Sequence, residues 1–191
     1  MYIGHLGIAL GGKGLWRSAP LWLLILAAQA PDWIDAAGCM TGSEPSGLWS
    51  HSIPAVLALS VGLGLLTLIA TRDWQLAGLV SAMVVSHLLV DYVTGAKPTW
   101  PGGPLIGLRL YQHPGWEFLA ETTVILAGWF AYRRSWPMVS RKTPLVVLLV
   151  SLLTIQLAGD IKAAVLPSSS KCQWSLPRAP APAPAATDRH H

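Results

Sequence analysis

The chain has 191 residues, enough for one sizeable core and too few for two ordinary domains. Apolar residues make up 52% and charged residues 12%, where a soluble domain has about 25% charged, and mean hydropathy is +0.47, so an ordinary water-soluble globule is excluded. The formal charge of +4 does not point to nucleic acid, because the basic residues are spread through short loops between apolar runs and form no single stripe.

In chain order, Met1–Gly12 is apolar but too short to cross a membrane alone and is expected to pack as a half-helix. The first spanning candidate is Ala19–Pro31. Lys13 and Arg17 precede it, but no small-x-small cleavage site follows, so it reads as a retained helix and not as a signal peptide. Ile53–Thr71 follows without a charge. Trp74–Val90 is interrupted only by His87, Phe118–Tyr132 carries Glu121, and Thr143–Gly159 is the last apolar run. About 20 residues cross the hydrocarbon layer, so the second, third and fifth are the strongest spans. The expected fold is an all-α, polytopic transmembrane bundle of about five spanning or half-spanning helices. Residues 1–134 read as one domain and 135–166 as an added C-terminal helix. Residues 167–191, with the alternation Ala179–Ala185, read as a disordered Pro/Ala-rich tail. The ten tryptophans suit headgroup-level anchors, and Cys39 and Cys172 form no zinc-binding spacing.

If the spans alternate, Lys13, Arg17, Arg72, Arg133, Arg134, Arg141 and Lys142 fall on one side. The loops on the other side hold only Lys97 and Arg109, with Lys162, Lys171, Arg178 and Arg189 following the last span. The positive-inside rule puts the first set in the cytoplasm and the Pro/Gly-rich loops Asp32–Ser52 and Asp91–Glu117 outside.

Ionisable residues in apolar segments are costly and therefore informative. His87 and Asp91 are spaced i, i+4 and share a helix face, where they can hold a metal ion or form a His–Asp bond at a helix end. Asp32 and Asp35 follow Pro31 at a spacing of three, as a ligand pair or with Asp32 as the cap of a following helix. His51 directly precedes the second span, and His5 lies in the apolar start. Either one alone is ordinarily structural. Together, however, Asp32, Asp35, His51, His87 and Asp91 fall at one membrane face, and His5 joins them if the first residues run inward. Three histidines and three aspartates suit zinc, manganese or iron, and the carboxylates allow two metals. Glu117 and Glu121 share a face at the start of the fourth span, with Glu121 deeper as a general base or further ligand; His113 is a weaker loop candidate. Gly102-Gly103-Pro104 and Gly107 permit a tight loop near the site but no phosphate-binding fingerprint.

The order Gly4-His5, Pro31-Asp32-x-x-Asp35, Ser50-His51-Ser52 and Ser86-His87-x-x-x-Asp91 resembles the membrane-bound metal-dependent hydrolase family, which includes the LexA-regulated inner-membrane hydrolases. Trp100–Leu108 and the helix bearing Glu121 resemble the loop and last shared helix of one branch, so the likeness covers about residues 1–134. The resemblance implies a polytopic helical protein with divalent-metal hydrolase activity. It carries His5, Asp32, His51, His87 and Asp91 over as ligands, with Asp35 beside them. Two departures stand out. Ser46 occupies the place of a family histidine, and Gly95-Ala96-Lys97 replaces a segment that often holds another. Either change points to fewer metals, an altered substrate or lost activity.

The expected function is therefore hydrolysis of an ester or phosphoester of an amphiphilic, lipid-like substrate at the outer, periplasmic face of the inner membrane. A divalent ion, zinc before manganese or iron, would serve as cofactor, and Asp35, Asp91 or Glu121 would take the proton. The expected partner is the lipid bilayer and not a nucleic acid. The alternative is a transporter-like protein or a metal-stabilised membrane scaffold, and a degenerate member that keeps the fold without the chemistry is a third reading.

Overall fold

The computed structural model describes residues 3–41, 47–135 and 142–165; Ser46 and the tail expected at 167–191 lie outside the described residues. The fold is all-α with one small ladder. Its helices are α1 (Gly4–Leu15), α2 (Leu21–Ala28), α3 (Ala30–Met40), α4 (Leu48–His51), α5 (Ile53–Thr71), α6 (Trp74–Thr94), α7 (Pro114–Arg134) and α8 (Lys142–Val165). Strands β1 (Lys97–Pro98) and β2 (Leu105–Ile106) pair antiparallel between α6 and α7, with Lys97 opposite Ile106.

Among the described residues, three helical stretches are long and apolar enough to cross a membrane: Ile53–Thr71, Trp74–Thr94 and Thr143–Lys162. The apolar run Ala19–Pro31 is not one helix. It breaks at Gln29, whose φ of −108° and ψ of 6° leave the helical region. The cause is Pro31, which has no backbone N–H to donate and is tolerated in the first turn of a new helix but not inside an old one. Helix α3 therefore starts afresh at Ala30, and Asp32 stands in its first turn, three residues after the N-cap Gln29, so it is not the cap itself.

Helices α5 and α6 form an antiparallel pair. The chain turns at Arg72, in the left-handed region at φ 57°, and Asp73 caps α6 by accepting from the backbone N–H groups of Gln75 (2.9 Å) and Leu76 (3.0 Å). Ser60 and Ser81 each donate to the other's backbone carbonyl, at 3.1 and 3.0 Å, which satisfies two hydroxyls inside the apolar interface. Leu24, Val56, Val80, Val84 and Leu88 form the core between this pair and α2.

Helices α1 and α7 run parallel at backbone contact. A Cβ on Gly7 would lie 2.7–2.9 Å from backbone atoms of Val124 and Ile125, and Gly14 lies equally close to Ala131. Gly128 packs against Gly7 in turn. Small residues at such spacings let helix backbones meet in lipid, where van der Waals packing replaces the hydrophobic drive. The starts of α1, α5 and α7 and the end of α6 consequently gather at one end of the bundle.

Candidate metal centre

Six of the expected residues meet at that end. His5 comes from α1, Asp32 and Asp35 from α3, His51 from α4, and His87 and Asp91 from the last turns of α6. The three histidines are fully buried and Asp91 is 1% exposed. His87 Nε2 lies 3.2 Å from His5 Nε2 and 3.0 Å from His51 Nε2. Asp91 Oδ2 is 3.2 Å from His51 Nε2 and 3.5 Å from His87 Nε2, while its Oδ1 is 3.5 Å from His5 Nε2. Asp32 Oδ1 is 3.3 Å from His51 Nε2 and 3.7 Å from His87 Nε2.

These spacings fit a cation. Zinc binds imidazole nitrogen at about 2.0–2.1 Å, so neighbouring ligand atoms of a tetrahedral site stand about 3.3 Å apart. The ring protons point the same way. His87 Nδ1 lies 2.7 Å from the Ala28 carbonyl, which can only accept, so the neutral ring carries its proton on Nδ1 and turns a lone pair inward. His51 Nδ1 faces Asp35 Oδ2 at 3.3 Å and Ser50 Oγ at 2.7 Å, and the carboxylate favours the same tautomer. Two inward lone pairs 3.0 Å apart repel unless a proton or a metal ion lies between them. Asp91 Oδ1 is a buried oxygen without a hydrogen-bond partner among the described residues, which a cation would satisfy. Burial opposes a charged His51, but the facing carboxylates of Asp32, Asp35 and Asp91 outweigh it and push its pKa up to about 9.

Asp35 occupies a different position from the other five. It lies on the Nδ1 side of His51, where a carboxylate orients the ring and not the ion. Glu121 is buried on α7 and belongs to neither of the two potential ligand groups, His5–His87–Asp91 and Asp32–His51–His87. Its carboxyl takes a hydrogen bond from the backbone N–H of Gly4 and so ties down the first turn of α1, one residue before His5. Glu117 is buried one turn earlier, and His113 is exposed ahead of α7.

Sequence reasoning missed Lys97, which it counted only as a loop cation. Lys97 Nζ lies 2.8 Å from Asp91 Oδ2 with its side chain 8% exposed. The ladder between β1 and β2 folds it back over the site. Thr99 stitches that hairpin together by bonding the Pro104 carbonyl through both its backbone N–H (3.2 Å) and its hydroxyl (2.9 Å), and its own carbonyl accepts from Ile53 N–H at the start of α5 (2.9 Å). Gly107, at φ 144°, lies against the Gly95 carbonyl where no Cβ fits. The available signal was a lysine enclosed by Gly95, Pro98 and the glycines that follow.

A cleft of about 610 Å³ runs between α2–α3 and α5–α6, from Ala30 and Trp33 to Pro20, Thr71 and Leu76, and none of the six site residues lines it. Its wall is apolar, including Trp22, Leu26, Ala30, Trp33, Leu59 and Leu63. At the opposite end, Lys13 Nζ donates to the carbonyls of Arg17 (2.5 Å) and Ala19 (2.8 Å), and Arg17 reaches the Arg134 carbonyl at 3.4 Å.

Searches of curated proteins and of solved structures returned no match. The YdjM inner membrane protein family model matches residues 3–164, a stretch that takes in every helix from α1 to α7 and nearly all of α8. An apolar helical bundle matched over that length belongs to the YdjM inner membrane protein family.

Proposed function

We propose that this protein is a metal-dependent hydrolase of the inner membrane that cleaves an ester or phosphoester of an amphiphilic substrate at the outer face. One observation carries the reading: three imidazole nitrogens and two aspartates converge at ligand spacing in a water-poor pocket. His5, His51, His87, Asp91 and Asp32 are the ligands in this proposal. A divalent ion, zinc before manganese or iron, would supply Lewis acidity and lower the pKa of a bound water.

The chain's own residues divide the remaining work. Asp35 holds His51 in the tautomer that turns Nε2 inward. Asp32 would ligate through Oδ1, which faces His51 and His87, while its Oδ2 is buried without a hydrogen-bond partner among the described residues, so this second oxygen is the proton acceptor. Asp91 is held by Lys97, and Glu121 serves α1, which leaves both less free for that role. The apolar cleft that reaches Ala30 and Trp33, on the same helix as Asp32, suits the hydrocarbon part of the substrate. Transport would call for ionisable groups at successive depths. Here Asp91, Glu117, Glu121 and Asp160 lie toward the site end; Asp160 is near enough to Glu117 to act on it electrostatically.

The test is hydrolysis of chromogenic carboxylic and phosphoric esters by the chelator-stripped protein in detergent, before and after zinc or manganese is restored. Metal-restored turnover, lower by at least about 100-fold in His87→Ala, supports the proposal. Failure of every metal-loaded form to cleave either ester class would remove it in favour of a metal-stabilised scaffold.

A further inference from the structure

We propose that Lys97 is a second, built-in cation of the site and limits the centre to a single divalent ion. The inference rests on the metal reading above and adds the metal count and the residue that sets it.

Charge balance is the first argument. Asp32, Asp35 and Asp91 bring three negative charges, and the three imidazoles bring none when they act as neutral ligands. One divalent ion together with the Lys97 ammonium cancels the three carboxylates. A second divalent ion would leave two uncompensated positive charges in a pocket where the histidines, Asp91 and Lys97 are all buried. Unbalanced charge in such a place is costly.

Position is the second argument. Asp91 is the carboxylate placed to bridge two ions, since Oδ1 faces His5 and Oδ2 faces His51 and His87. Lys97 Nζ stands 2.8 Å from Oδ2. Paired metal ions sit about 3.5–4 Å apart across shared carboxylates. The ammonium takes up the bridging oxygen that a second ion would need.

Rigidity is the third. Lys97 is not a swinging surface lysine that an incoming ion could push aside. It is paired in the ladder with Ile106, and the hairpin is tied to α5 through Thr99 and to α6 through the bond from Leu108 N–H to the Tyr92 carbonyl (2.9 Å).

The experiment is elemental analysis of the detergent-purified full chain after equilibration with excess zinc and desalting, with zinc affinity read by competition against a chromogenic chelator. Wild type is expected to hold one zinc per chain, and Lys97→Arg to match it in count and affinity. Lys97→Met removes the charge and frees Asp91 Oδ2, and it is expected to hold two zinc ions per chain in excess zinc, the first bound at least about tenfold more tightly than in wild type. Should that variant not fold, Lys97→Gln removes the charge while keeping a donor for Asp91 and reads the same quantity. Two zinc ions in wild type, or a single zinc in folded Lys97→Met, would overturn the inference while leaving the metal site standing. No zinc in folded wild type would instead overturn the metal reading itself.

Discussion

In the proposed metal centre, His51 is the side chain at which proton and metal would compete. Its pKa of about 9 in the metal-free protein, against 6.5 for a free histidine, means that below pH 9 a metal ion must displace a proton. Apparent zinc affinity is therefore expected to rise with pH up to about 9, by about tenfold per unit, and then level off. The sign for stability is opposite. A raised pKa stabilises the metal-free fold fully below pH 6.5, and that contribution is lost as pH rises through about 9. Thermal unfolding of stripped protein across this range, beside chelator competition, checks both, and a pH-independent affinity would contradict the assignment. Asp35→Ala separates orientation from ligation. With the carboxylate gone and Ser50 Oγ still 2.7 Å from Nδ1, zinc affinity is expected to fall by about 10–100-fold. A loss as complete as that of His87→Ala would make Asp35 a ligand instead.

Among the elements, the pairing of α1 with α7 matters most to the site, because it sets the depth of His5. Gly7→Ala places a methyl 2.7–2.9 Å from Val124 and Ile125 backbone, which cannot yield as a side-chain end would. A loss of about 1–3 kcal/mol is expected, together with weaker metal binding as His5 shifts. Gly62→Ala meets nothing within 4 Å and is the matched control, expected to leave both unchanged. Equal melting temperatures for the two variants would show that the helix contact is not tight. The element scale also marks where sequence reasoning stops. Long uncharged runs such as Ile53–Thr71 are legible because length and apolarity alone decide them. The break at Gln29 was hidden because Pro31 reads equally as the end of one helix or the first turn of the next. The β1–β2 hairpin was not legible at all: two residues a side carry no periodicity, and its register comes from Thr99 and the backbone fit of Gly107.

Across the whole molecule, two ends of opposite character face each other. One gathers the histidines and carboxylates; the other carries Lys13, Arg17, Arg72, Arg133 and Arg134 at helix termini. We propose from the positive-inside rule that the acidic end faces outward. In a background with Cys39 and Cys172 changed to serine, Trp49→Cys at the site end is expected to react with a membrane-impermeant maleimide in intact spheroplasts. Leu15→Cys should react only after permeabilisation. Both positions are more than 80% exposed, so the reverse pattern would invert the topology. The candidate residues were legible because charged groups in apolar sequence are few. Their separate roles were not, since which nitrogen of His51 faces Asp35 and where Lys97 folds back depend on contacts between distant segments. The most direct measurement is X-ray absorption at the zinc edge of the loaded protein. A shell of about four to five nitrogen and oxygen neighbours near 2.0–2.1 Å, with scattering from three imidazoles, is the predicted result. An all-oxygen shell, or one with a single imidazole, would contradict a centre built from His5, His51 and His87.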